Sequence, residues 1–367
     1  MRSLADPLYL LPYFELSAVS IKLENANDLT HIAAFEHVES IQPVLYLKRS
    51  HQSSATNHTV TSPLKLPPTP SIPHVEVPKL TSFAPHVLSG IDKVHARGIF
   101  GKGIVLASLD TGVDYTHHAL NGGRPDGTPC LGVGCPIVGG LSFFDAQGNI
   151  GFTHDPYPYD CPPGSDTQTH GTHVAGIAIA NDTLRNFTGG APQAQLRAYR
   201  MMSCGPESDS LDAFAAGFQQ AFFDGADVIT TSQAWDSGWA EDILSLLVTR
   251  IIELGTPVIT AASNAGDEGP FLPWSPSVAK GADASAAVEN MEQLGFTAIA
   301  KDDQGATKSI FYYAANPIDI VGAPMPIYVY TGTGTTLGNA CSPLSPNTPN
   351  LQGYAVLIAP GVSARPS

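Results

Sequence analysis

The feature that most constrains the fold is an alternation of short apolar runs with segments of helical period between residues 103 and 262. The run Gly103–Leu109 is apolar apart from one serine, as a strand covered on both faces of a parallel sheet would be. Further strands are predicted at Gln195–Met201, Asp227–Thr231 and Pro257–Ala262. Helices are predicted between them at Gly171–Ala180, Leu211–Phe223 and Glu241–Leu254. This order predicts an α/β fold, a doubly wound and mostly parallel sheet flanked by helices.

The regions on either side of this core have different patterns. Residues 1–50 contain strand patterns at Ser17–Leu23 and Val44–Leu47 around a helical pattern at Asn27–Phe35, which predicts a small α+β unit. Residues 51–85 are rich in Pro, Ser, Thr and His without an apolar period, which predicts a linker. We therefore place the core at 86–310 and a region of short β-like runs at 311–367.

Charge and hydropathy exclude two classes of partner. The chain has 18 Lys and Arg against 33 Asp and Glu, a net charge of −15, which argues against binding the phosphates of nucleic acids. No stretch of about 18 uncharged apolar residues appears, so no membrane-spanning helix is expected.

The five cysteines leave the redox compartment open. Cys130, Cys135, Cys161 and Cys204 are compatible with one or two disulfides and equally with free thiols, and Cys341 completes the set. They lack the spacing of a zinc site. The N-terminal run Leu8–Phe14 is short and contains a proline, so it is not a convincing signal peptide; if the protein is secreted, we expect its targeting segment outside this sequence.

Three polar residues follow predicted strands or begin a predicted helix, where they could serve as a base, its orienting carboxylate and an oxyanion donor. Asp110 comes directly after the first strand, His170 opens the helix at Gly171–Ala180, and Asn264 follows the last strand. An ionised aspartate on one imidazole nitrogen would orient the ring and leave the other nitrogen to act as a base. An amide could donate to a developing oxyanion. Taken alone, Asp110 is more often a turn or helix-cap residue, and Asn264 alone is explained by a turn of the Asn-Gly type.

Other interpretations of nearby residues carry less weight. His170 and His173, or the adjacent His117 and His118, could be half of a metal site, but no HExxH sequence is present, so we expect no metal. His173 is expected to be a packed or surface residue and Asp114 a turn acid. Trp235 and Trp239 are expected to pack rather than to line a cleft.

The motifs Asp110-Thr111-Gly112 and His170-Gly171-Thr172-His173-Val174-Ala175-Gly176 resemble those of the subtilisin-like serine proteases, in the family's order of Asp before His. The resemblance covers about Pro85–Asn290. It implies a secreted endopeptidase that acts on polypeptides as a monomer, with no cofactor, although calcium often binds this family. It also implies that residues 1–50 resemble part of an inhibitory propeptide and that Asn339–Ile358 resemble the start of a protease-associated insert, as in large fungal members.

The resemblance also implies a nucleophilic serine in a Gly-Thr-Ser-like motif, and none of the five Gly-Thr pairs in this sequence is followed by serine. We reject Ser363, which lacks a glycine elbow. We therefore expect a chain that stops before the nucleophile and is inactive alone. The alternative is a non-catalytic pseudoprotease or protein-binding module on the same scaffold. Two departures are Ser232-Gln233-Ala234-Trp235, where a small Ser-Leu-Gly-Gly-like run is usual, and Ser263, where glycine is common.

Overall fold

A computed structural model describes most of the central region and parts of both ends of the chain. The described residues are 5–11, 18–23, 25–44, 46–47, 83–124, 127–144, 150–161, 169–183, 186–204, 209–266, 269, 271–289, 296–312, 325–331, 338, 344 and 348–359. They fall into two compact units, one containing the described residues up to 289 and the other those from 296 onward.

The first unit contains all the helices of the described chain and most of its strands. The strands are β1 (Ala5–Leu11), β2 (Ala18–Leu23), β3 (Tyr46–Leu47), β4 (Val105–Asp110), β5 (Ile137–Phe144), β6 (Ile150–Asp155), β7 (Asn181–Asp182), β8 (Phe187–Thr188), β9 (Gln195–Arg200), β10 (Asp209–Ser210), β11 (Val228–Thr231), β12 (Val258–Ala261) and β13 (Asp283–Ser285). The helices are α1 (Asp28–Ala33), α2 (Ala84–Ser89), α3 (Ile91–Ala96), α4 (His170–Ile179), α5 (Leu211–Phe223) and α6 (Ile243–Glu253).

The central sheet has seven strands in the order β13-β12-β11-β4-β9-β5-β6. Every neighbouring pair is parallel except β5 and β6. Because β11, β4 and β9 lie side by side in parallel, their carboxyl ends meet at one edge, where Asp110 is in register with Arg200. This edge is where ligands of open α/β sheets usually bind.

Helices cover both faces of this sheet, which confirms the predicted fold class. On one face, Ala175 and Ile179 of α4 are buried with Leu196 of β9. On the other, Phe214 of α5 and Leu247 of α6 are buried in a second cluster. Each face is apolar because a strand that is covered on both sides needs apolar residues in successive positions.

The four strands and three helices predicted within the core are all present, with ends that differ by three residues or fewer. Three strands of the central sheet, β5, β6 and β13, were not predicted. The reason for β5 is the pair Gly139 and Gly140, which interrupts its apolar pattern.

The strands of the N-terminal region pair with segments that the sequence did not predict as strands. The predicted strands and helix correspond to β2, α1 and a short β3, but β2 pairs with the unpredicted β1 in an antiparallel hairpin. Strand β3 instead pairs antiparallel with β10 of the core. Most of the expected linker, residues 51–82, lies outside the described residues, and its last residues already begin helix α2.

The second unit contains strand pairs only, among the residues described. Strand β14 (Phe296–Lys301) pairs antiparallel with β15 (Thr307–Tyr312), and β16 (Ile327–Val329) pairs in parallel with β17 (Ala355–Leu357). The division between compact units, at 293 and 294, precedes the expected boundary at 310 and 311, which falls inside β15. None of the described helices is long and apolar enough to cross a membrane.

Both disulfides that the sequence allowed among four of its cysteines are present. Cys130 is bonded to Cys135, and Cys161 is bonded to Cys204. The fifth, Cys341, lies outside the described residues.

Candidate active site

The structure brings Asp110 and His170 into direct contact. Nδ1 of His170 lies 2.7 Å from Oδ1 of Asp110, a short hydrogen bond between residues sixty positions apart in the chain. The carboxylate is buried, with 2% of its side chain exposed, whereas 44% of the imidazole is exposed. A buried carboxylate therefore holds an imidazole of which nearly half the surface is exposed.

Two glycines allow this contact. A Cβ atom on Gly171, the residue after His170, would lie 2.2 Å from the carbonyl oxygen of Gly112 and 3.1 Å from Oδ1 of Asp110. Gly112 itself has a φ of +107°, and a Cβ there would meet the carbonyl oxygens of Pro158 and Tyr159 at 2.8 and 2.7 Å. The small residues in the two motifs are thus required by the close approach of three backbone segments.

The loop that carries Asp110 is ordered by its own polar residues. The Thr111 backbone N–H donates to Oδ1 of Asp110 at 2.7 Å. Asp114 accepts hydrogen bonds from both the N–H and the hydroxyl of Thr116, which confirms the predicted turn role.

Helix α4 begins at His170 without a side-chain cap from the preceding Thr169. The first N–H groups of a helix need acceptors. Here the N–H of Gly171 donates to the hydroxyl of Thr111, and the N–H of Thr172 donates to the carboxylate of Asp160, both at 2.8 Å. His173, one residue on, is exposed, as expected.

Asn264 follows β12 at the same edge of the sheet, with one strand, β11, between β12 and β4. Its side chain is exposed. The preceding Ser263 has a φ of +123°, a backbone region that favours glycine, so the departure noted in the sequence produces backbone strain.

The unusual Trp235 is buried, with 2% of its surface exposed, and its ring packs edge-on against Phe214 with 4.2 Å between centroids. This confirms the expected packing of Trp235, which also lines a small cavity, whereas Trp239 is 74% exposed, contrary to the expectation of packing. Within the part of the chain that the structure describes, no group of three or more His, Cys, Asp or Glu side chains is arranged to hold a metal ion.

Sequence reasoning missed Asp160, a buried carboxylate that contacts residues of both motifs. Its burial raises the pKa of this carboxyl above its ordinary value, against the opposing effect of hydrogen bonds from Thr111, Thr172 and Cys161. The sequence offered no signal for it, because the Cys161–Cys204 disulfide, which holds the neighbouring residue close to the end of β9, could not be assigned from the sequence.

Comparison with known proteins identifies the family. The model of the subtilase family, peptidase S8, matches residues 101–320, more than half of the chain. The thermostable alkaline protease of Halalkalibacterium halodurans is 27% identical over 350 residues, 94% of this chain and 78% of that protein. M-protease of Shouchella clausii is 28% identical over 369 aligned positions, 96% of this chain and 81% of that protein.

A third relative is much longer than this chain. The minor extracellular protease Vpr of Bacillus subtilis is 28% identical over 256 residues, 69% of this chain but 27% of that protein. The match thus spans about a quarter of the length of Vpr. Together with the Asp110–His170 pair at the sheet edge, these matches show that the chain belongs to the subtilase family.

Proposed function

We propose that this chain carries the Asp-His-Asn part of a serine endopeptidase site that cleaves polypeptides by acyl transfer. The observation that supports it most is the 2.7 Å contact between Nδ1 of His170 and the buried carboxylate of Asp110. A carboxylate on Nδ1 fixes the neutral imidazole in the tautomer whose Nε2 lacks a proton, which is the form that a general base requires.

In the proposed reaction, Nε2 of His170 removes the proton of a serine hydroxyl as the serine oxygen attacks the scissile carbonyl. The same nitrogen then gives that proton to the leaving amine when the C–N bond breaks, and water repeats the sequence to release the acyl group. Asp110 stabilises the imidazolium at each stage. The amide of Asn264 donates a hydrogen bond to the oxyanion, a role supported by its exposure beside the carboxyl end of β12.

The nucleophile is the part of this proposal that lies outside the 367 residues. None of the Gly-Thr pairs is followed by serine. Residues 1–367 by themselves are therefore proposed to lack peptidase activity, because in subtilisin removal of the serine costs about 10⁶-fold in kcat.

The N-terminal region, residues 1–50, is proposed to act as the inhibitory segment. Two observations support this. Strand β3 extends the core by pairing antiparallel with β10, as an extended peptide adds to an exposed strand. Gln42 and Pro43, just before β3, line a cavity of about 130 Å³ together with core residues that include Leu211 and Trp235. Residues 51–85 would be the linker, 86–310 the core, and 311–367 the start of a protease-associated insert.

Secretion is also proposed for this protein. Two disulfides are typical of oxidising compartments, and one relative is named as an extracellular protease. The proposed partners are polypeptide substrates, and the proposed reaction needs no cofactor.

Two measurements test the proposal. A chromogenic active-site titrant should give no acyl-enzyme burst with residues 1–367, and a burst would overturn the absence of the nucleophile. A version extended in frame through the first downstream Gly-Thr-Ser sequence should hydrolyse a fluorogenic peptide. In it, the substitution His170→Ala should reduce kcat by about 10⁶-fold and Asp110→Ala by about 10⁴-fold. An extended protein without activity, or activity that survives His170→Ala, would contradict the proposal and favour a non-catalytic role.

A further inference from the structure

Asp160 occupies a place that the proposed reaction does not use directly. It is buried, with 2% of its surface exposed, on a segment that passes over Gly112. The N–H of Val113 donates to the carbonyl oxygen of Pro158 at 2.9 Å, so this segment is attached to the Asp110 loop by its backbone.

The carboxylate of Asp160 accepts four hydrogen bonds. Oδ1 accepts from the hydroxyl of Thr111 at 2.6 Å and from the N–H of Cys161 at 2.7 Å. Oδ2 accepts from the N–H of Thr172 at 2.8 Å and from the hydroxyl of the same residue. Each oxygen therefore has two donors, as many as a carboxylate oxygen ordinarily accommodates.

The two threonines link the motifs reciprocally. The hydroxyl of Thr111, the residue after Asp110, accepts a hydrogen bond from the N–H of Gly171, the residue after His170. The hydroxyl of Thr172, in the histidine motif, accepts a hydrogen bond at 2.8 Å from the N–H of Asp114, two residues beyond the aspartate motif. Both threonine hydroxyls also donate to the carboxylate of Asp160. This carboxylate therefore orients both hydroxyls toward the N–H groups from which they accept hydrogen bonds.

From these contacts we infer that Asp160 is a positioning residue, which holds the start of helix α4 against the Asp110 loop and thereby keeps His170 in hydrogen-bonding range of Asp110. This inference rests on the proposed function for its catalytic meaning. Its geometric content can be tested without any peptidase activity. The side chain of Thr169 does not cap helix α4. Asp160 takes this role from outside the helix, because its carboxylate accepts a hydrogen bond from the N–H of Thr172 in the first turn.

The ionised form of Asp160 suits this arrangement better than the protonated form. A protonated oxygen could not accept two hydrogen bonds and carry its own proton, so at least one of the four donors would lose its acceptor. An asparagine at position 160 would also leave at least one of the four donors without an acceptor, because its amide nitrogen donates hydrogen bonds and does not accept them.

The test is the rate at which the Nδ1 proton of His170 exchanges with water, measured by NMR on the 367-residue chain labelled with ¹⁵N-histidine. The signal is assigned by its loss in His170→Ala. The substitution Asp160→Asn should accelerate exchange by roughly tenfold, the effect of about one hydrogen bond. The matched control is Asp182→Asn, which removes a buried carboxylate that pairs with His118 beyond the other end of α4 and should leave exchange unchanged.

A second pair of variants covers failure of Asp160→Asn to fold. Thr172→Val removes the hydroxyl that donates to Asp160 and should accelerate exchange, whereas Thr172→Ser keeps the hydroxyl and should restore the original rate. Exchange within twofold of the parent in both Asp160→Asn and Thr172→Val would overturn the inference. So would equal acceleration in Asp182→Asn, since that would indicate general loosening. Absence of peptidase activity in the extended protein would instead count against the proposed function and leave this result unaffected.

Discussion

The two halves of the candidate site are built in different ways. On the Asp110 and His170 side, three backbone segments approach so closely that only glycine fits, and a buried carboxylate with four donors joins them. On the Asn264 side, the side chain is exposed and the residue before it is strained at a φ of +123°. The imidazole is therefore fixed by many mutual contacts, whereas the exposed amide follows a residue in one unfavourable backbone conformation.

The largest predicted effect is the loss of stability on removing the disulfide beside Asp160, compared with the loss on removing a disulfide that closes a short loop. Replacing Cys161 and Cys204 by serine removes a bridge of sequence separation 43 next to Asp160. We expect the free energy of unfolding to fall by about 4 kcal/mol, because closing a long loop restricts the unfolded chain strongly. The corresponding change at Cys130 and Cys135, of separation 5, should cost about 2 kcal/mol. Denaturant titration of both double variants makes the measurement, and equal losses would contradict the expectation.

The next effect concerns the closest backbone approach. Gly171→Ala places a methyl group 2.2 Å from the Gly112 carbonyl oxygen, so the helix start has to move. We expect a loss of about 3 kcal/mol in the free energy of unfolding. Gly176→Ala is the matched control on the same helix, since a Cβ there meets nothing within 4 Å, and it should be neutral or stabilising by up to about 1 kcal/mol. Similar losses in both variants would show that alanine destabilises this helix generally, and that the close approach to the Gly112 carbonyl oxygen is not the cause.

A smaller effect depends on pH. Burial raises the pKa of Asp160, so the folded chain binds this proton more tightly than the unfolded chain does. The stability contributed by this group is therefore fully present below its unfolded pKa, about 3.9, and is lost as pH rises through the higher folded pKa. Across that interval, the free energy of unfolding of the parent, relative to Asp160→Asn, should fall by about 1.4 kcal/mol per pH unit.

Thermal unfolding of both proteins at a series of pH values from about 3 to 7 measures this difference. A difference that stays constant, or rises with pH, would contradict the raised pKa. The expected sign means that the ionised carboxylate of Asp160 lowers global stability while it orders the site.

The smallest effect is at the strained residue on the Asn264 side. Ser263→Gly should stabilise the fold by about 1 kcal/mol or less, because relief of strain worth about 1–3 kcal/mol exceeds the added entropy of a glycine in the unfolded chain. Ser263→Ala keeps the strain and removes the hydroxyl that accepts the N–H of Ala265 at 3.2 Å, so it should destabilise slightly. Differential scanning calorimetry separates the two, and stabilisation by alanine with none by glycine would refute the role of strain.

The helices and strands whose residues follow a local apolar period could be predicted from the sequence. Helix α5 matches its prediction at both ends, and β4, β9, β11 and β12 were all predicted, because apolar periodicity and terminal glycines are local signals. Asp110 and His170 were found because each stands at the end of such an element within a recognisable motif.

Pairings between distant segments could not be read in the same way. Strand β3 is two residues long and is stabilised by β10, more than 160 positions away, and no local pattern encodes that contact. Asp160 is similar, since its partners come from two other motifs and only the three-dimensional arrangement brings them together.

The contact between Asp110 and His170 is the central claim, and the Nδ1 proton of His170 reports on it most directly. In the 367-residue chain, ¹H–¹⁵N NMR should show a slowly exchanging Nδ1–H signal displaced strongly downfield, as in a hydrogen bond to a carboxylate, and Asp110→Ala should abolish it. A signal that persists unchanged in Asp110→Ala would show that the carboxylate does not hold the imidazole, and the account of the site would be wrong.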